Sequence, residues 1–123
     1  MRSTMKYAML IFGDDHEWTA LSPAEEEDVM AQIYGWYERW QPTGKIAEGG
    51  AELQPRETAK TVRAGGNGQP VITDGPYLEL KEVIGGVVML ECDDLDEAAR
   101  IAATWPLGTG MSALEVRPVM SRE

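Results

Sequence analysis

The stretch MKYAMLIF, residues 5–12, decides the fold. In an extended strand successive side chains point to opposite faces, so Met5, Tyr7, Met9 and Ile11 share one side and Ala8, Leu10 and Phe12 the other. Both sides are apolar. A strand of this kind belongs in the middle of a sheet covered on both faces.

Working outward, a loop carrying Asp14, Asp15 and His16 leads to SPAEEE (22–27). Here Ser22 can cap a helix, Pro23 suits its first turn and Glu25 completes a capping box. Val29, Ile33, Trp36 and Trp40 follow at spacings of four, three and four, a stripe that packs on the sheet until Pro42 and Gly44 stop the helix. KIAEGGAEL (45–53) and TAKTVRA (58–64) read as strands, and GGNGQP (65–70) turns the second into VIT, so residues 58–73 form a hairpin. GGVVMLEC (85–92) is a further strand. Asp94 caps a second helix, with Glu97 three residues on and Leu95, Ala98, Ile101 and Trp105 facing inward, before Pro106 ends it. SALEVRPV (112–119) alternates Leu114 and Val116 with Glu115 and Arg117 and closes the chain as a strand.

With the hairpin set aside, the order is βαββαβ: an α+β, ferredoxin-like plait whose two helices cover one sheet face. The chain is expected to be one domain, residues 1–123. It offers no third helix for the second apolar face of the first strand, so a homodimer packed sheet to sheet is expected.

Composition narrows the partners. Asp and Glu number 21 against 11 Lys and Arg, a net charge of −10, which disfavours a phosphate backbone and so excludes nucleic acid. No apolar run approaches the roughly 20 residues that span a bilayer, and the start lacks a cleavable signal pattern, so no membrane partner and a cytoplasmic location are expected. The single cysteine, Cys92 in VVMLEC, reads as a small buried residue. One histidine and one cysteine are too few for a zinc site, and no Ser-His-Asp set or phosphate loop is present. Neither metal nor cofactor is expected.

TDGPYLELKEVIGG (73–86) resembles the signature of the YCII-related proteins of the DGPF type, with Tyr77 where Phe is usual. DDLDEA (93–98), EVRPV (115–119), KYAMLIFGDDHEW (6–18) and GGAEL (49–53) are similar as well. The resemblance implies a dimeric α+β barrel, related in fold to muconolactone isomerase, with a cleft between helices, sheet and inserted segment. Some members lie in gene neighbourhoods of extracytoplasmic sigma factors. The wider group is thought to use a His and Asp pair around the first helix. Here residues 23–40 hold no histidine and Gln41 and Pro42 follow, so that pair does not carry over.

Gly75 and Pro76 make a stiff turn that holds Asp74 in a defined direction. Its carboxylate either caps that turn through backbone N–H groups or enters a cleft as acid, base or ligand anchor. Lys81, with Glu79 and Glu82, lies either in a solvated segment or over the cleft, where it would meet Asp74 or a substrate carboxylate. Arg117 faces away from the helices, where its guanidinium either grips an anion or pairs with Glu115 or Glu91. His16 is an exposed loop residue or a titratable group at the cleft mouth. The candidate catalytic residues are thus Asp74 and Lys81, with Tyr77, Arg117 and His16 as candidate substrate-binding residues. Two functions are compatible with them. One is a small-molecule-binding, cofactor-free isomerase-like or lyase-like enzyme using carboxylate acid/base chemistry. The other is a non-catalytic binding or regulatory module, for instance beside an extracytoplasmic sigma factor.

Overall fold

The apolar strand of the opening stretch, β1 (Met5–Gly13), takes a central place in a four-stranded antiparallel sheet. A computed structural model describes residues 4–108 and 110–122. After β1 come α1 (Asp15–Thr19), α2 (Pro23–Trp40), β2 (Ile46–Glu52), β3 (Lys60–Ala64), β4 (Pro70–Asp74), β5 (Val83–Cys92), α3 (Leu95–Ala102) and β6 (Ala113–Pro118). The sheet order is β2-β5-β1-β6, which is compatible with a ferredoxin-like plait, while β3 and β4 form a separate two-stranded hairpin.

The helices begin where their caps dictate. Ser22 accepts from the Glu25 N–H and the Glu25 carboxylate accepts from the Ser22 N–H, so both halves of the α2 capping box are made. Asp94 accepts from the Glu97 N–H at the start of α3. One expectation is corrected there: Leu95, at the first helical position, is exposed, and the inward face is Ala98, Ile101 and Ala102, with Trp105 reaching the core from the turn beyond the helix. Residues 15–19, expected as loop, form a short helix capped by Asp14, whose carboxylate accepts from the His16 N–H at 3.0 Å.

Tyr7 and Met9 of β1 meet Val88, Leu90 and Cys92 of β5 beneath Trp36 of α2 and Ile101 of α3 in one buried cluster. Trp36 and Trp105 stand edge to face with centroids 4.9 Å apart. Thr104 joins two indoles at this seam: its hydroxyl accepts from the N–H groups of Trp36 and Trp40, each at 2.9 Å, and donates to the Ile101 carbonyl. Cys92 is fully buried, and burial, then the charge of Glu97, pushes its thiol up to about 11, so it is an inert packing residue. On the opposite sheet face, Leu10 lies across from Val87 and Ala8 from Met89, all half-exposed, with Phe12 beside them.

Candidate cleft beneath α2

The helix-facing row of β5 runs Cys92, Leu90, Val88 and then Gly86, so the row of side chains stops short of the strand's beginning. At that point β5 carries a bulge: Ile11 opposes Gly86 and Phe12 opposes Ile84, with Gly85 the extra residue. A Cβ at Gly86 would stand 3.2 Å from the Ala51 carbonyl oxygen and 3.7 Å from Ile11 Cδ1. The glycine thus admits the β2 backbone, and beside it a cleft of about 690 Å³ lies between this end of the sheet and α2, within the range of small-molecule sites. Ile33, Tyr34 and Tyr37 of α2 form one wall, Trp18 of α1 and Trp105 another, and Glu52 and Leu53 at the end of β2 the rim. Burial, and then the charge of Glu52, raises the Tyr37 phenol above its ordinary range, so it stays protonated at neutral pH and can donate a hydrogen bond.

Arg56, in the short turn after β2, holds the cleft mouth together. Its backbone N–H and its Nε each donate to the Asp15 carboxylate at 2.7 Å, and its Nη2 reaches Asp14 Oδ1 at 3.4 Å. Nη1 donates to the Leu80 carbonyl and Nη2 to that of Lys81 at 3.0 Å. The side chains of Arg56 and Asp15 are only 10% and 15% exposed, so this ion pair is sheltered from water. Burial alone would raise the Asp15 carboxyl, but the hydrogen bonds and charge of Arg56 outweigh it and hold it below the usual carboxylate range. One guanidinium thereby ties α1, which carries Trp18, to the segment after the Gly75-Pro76 turn.

Residues 5–122 match the YCII-related domain, nearly the whole length of the chain. The chain belongs to the YCII-related family. An uncharacterized protein of Rhizobium meliloti (strain 1021) is similar to it, 34% identical over 118 residues, which is 94% of this chain and 92% of that protein.

In this YCII-related chain none of the five residues singled out by sequence lines the cleft. Asp74 ends β4, 88% exposed at its side chain, and its carboxylate takes the Lys60 ammonium at 2.5 Å across the hairpin. The turn after it is held by backbone: the Gly75 N–H donates to the Ala59 carbonyl and the Thr61 hydroxyl to the Gly75 carbonyl. Gly75 has φ +91°, which a glycine adopts without strain. Tyr77 is 70% exposed. Lys81 gives its carbonyl to Arg56. Arg117 pairs with Glu115 at 2.6 Å on the face away from the helices. His16 Nε2 contacts the Glu57 carboxylate outside the cleft, and that contact raises the imidazole above its ordinary range. Asp14, Asp15 and His16 bring potential ligand atoms within 4.8 Å of one another, but Arg56 already takes both Asp carboxylates.

Sequence reasoning missed Arg56, Tyr37 and Gly86. Arg56 bonds to partners 41 or 42 residues before it and 24 or 25 after it, separations that carry no periodic signal. Tyr37 follows Trp36 immediately and was hidden by the stripe. A signal for Gly86 did exist: a glycine in the inward phase of an otherwise bulky strand marks a bulge or the close approach of another backbone, here that of Ala51.

Proposed function

We propose that this protein binds a compact, largely apolar small molecule in the cleft beneath α2. The observation that carries the reading is the cleft of about 690 Å³ walled by the rings of Trp18, Tyr34, Tyr37 and Trp105, with the protonated phenol of Tyr37 in its lining as a donor. Binding is favoured over acid/base turnover because Asp15, the sheltered carboxylate at this site, is engaged at both oxygens by Arg56 and held ionised, which makes it a weak base near neutral pH. A thermal-shift screen against a metabolite library, run on the parent and on Tyr37→Ala, which removes one aromatic wall and its donor, tests it. A ligand at a hundred times its Kd stabilises by about 2.7 kcal/mol. A ligand that stabilises the parent and not the variant supports the cleft; an identical response in both overturns it, provided the unliganded variant melts cooperatively.

A second copy of the chain completes this reading. The face bearing Ala8, Leu10, Phe12, Val87 and Met89 is only half-buried among the described residues, and a homodimer packed face to face would complete its burial. Sedimentation at micromolar concentration supports the dimer if Leu10→Lys converts a two-chain species to a one-chain species. A one-chain mass for the parent overturns it.

A further inference from the structure

The charges around the cleft are one-sided. Among the described residues its lining includes the carboxylates of Asp15 and Glu52 and no lysine, arginine or histidine. The Arg56 guanidinium beside Asp15 is spent on Asp14, Asp15 and two carbonyls. Asp15 is neutralised by that contact, whereas no ion pair is recorded for Glu52 among the described residues, and its charge is felt by Tyr37 across the cleft. The same lining holds the rings of Trp18, Tyr34, Tyr37 and Trp105. Aromatic faces are negative and attract cations, the more so when water is excluded. An anion entering the same space would lose its hydration and gain no countercharge.

Resting on the cleft reading above, we infer that the ligand is an organic ammonium: an apolar, aromatic-sized body within the cleft, with a protonated amine at the rim against Glu52 and the tyrosine rings. Glu52 supplies the countercharge, Tyr37 a donor to any hydroxyl on the body, and the volume of about 690 Å³ the room for a ring. A carboxylate- or phosphate-bearing metabolite is rejected by the same walls.

Three probes of matched shape test this: 2-phenylethylamine, 2-phenylethanol and 3-phenylpropionate, titrated calorimetrically into the full chain. About 150 mM salt screens the general attraction of a chain of net charge −10 for cations. The amine should bind about tenfold more tightly than the alcohol, consistent with a tenfold change per 1.4 kcal/mol of added interaction, and the propionate weakest. Glu52→Gln should bring the amine down to the affinity of the alcohol while leaving the alcohol unchanged. Equal binding of amine and alcohol overturns the ammonium inference and leaves the cleft standing. Propionate binding as tightly as amine, or an amine preference that survives Glu52→Gln, also overturns it. No heat from any probe overturns it too, and the library screen then decides the cleft separately.

Discussion

On the helix-covered face of the sheet, Trp36 meets Trp105 at 4.9 Å, Met9 and Leu90 are fully buried, and each large side chain touches several others. Around the cleft mouth, by contrast, the Arg56 side chain ties α1 to the 75–82 segment through hydrogen bonds, and the β3–β4 hairpin beyond them leaves Val62 and Ile72 exposed. The first region is held by many small apolar contacts, so no residue is indispensable to its shape. The second is held by a few polar contacts of long sequence separation, so its shape can be lost at a single position while the core persists. A small-molecule site placed on the second region can therefore change conformation without unfolding the first.

Replacing Arg56 is the strongest way to break that contrast. Arg56→Met keeps the stem and the backbone N–H to Asp15 but leaves that sheltered carboxylate without its guanidinium, a change that costs about 3 kcal/mol for a pair of this burial. Hydrogen exchange should accelerate in α1 and residues 76–82 while β1 and β5 stay protected. Uniform acceleration across the sheet would show that mouth and core are one cooperative unit. The pH dependence carries a definite sign. Because Arg56 lowers the folded Asp15 pKa below its unfolded value near 4, the stabilisation is present above that value and lost as pH falls through the folded one. The share of the gap between parent and Arg56→Met that comes from the guanidinium's hold on Asp15 is therefore full at pH 7 and is lost once the pH has fallen far enough to protonate Asp15 in both proteins, which urea unfolding at several pH values would measure.

The same contrast separates what was legible in the sequence from what was not. The bounds of α2 follow from Ser22, Pro23 and Glu25 at one end and the 42–44 stop at the other, because caps are local chemistry. The central position of β1 follows from its two apolar faces, and the hairpin from its glycine-rich turn, since strand period and turn residues are local as well. Leu95 was misplaced because periodicity does not say that the first helical residue lies clear of the sheet. The 15–19 helix was missed because five residues are too few to show a period. The emphasis on Asp74 came from the stiffness of the Gly75-Pro76 turn; stiffness is local, but the direction in which the hairpin carries that turn depends on long-range contacts. The cleft is defined by such contacts, so its lining could be read only in part, from the glycines of residues 85 and 86.

Thr104 sharpens the comparison from the side of the core, with a smaller expected effect. Its hydroxyl is the acceptor for two indole N–H groups at once, those of Trp36 and Trp40. Thr104→Val keeps the volume and removes the acceptor, leaving one donor on the buried Trp36 and one on the half-buried Trp40, which water can still reach. An unsatisfied buried donor costs about 1–3 kcal/mol, so a loss of about 2 kcal/mol is expected, with a Tm lower by about 8 °C for a domain of this size. Thr104→Ser, which retains the hydroxyl, should recover most of it. Exchange should rise globally in Thr104→Val rather than in α1 and 76–82, because Trp36 belongs to the shared cluster and its loss is distributed over the whole sheet. If instead exchange rises only at the C-terminal end of α2, the seam between α2 and α3 is itself a local element, and the division between a collective core and a single-residue mouth gives way to a molecule stitched at two points.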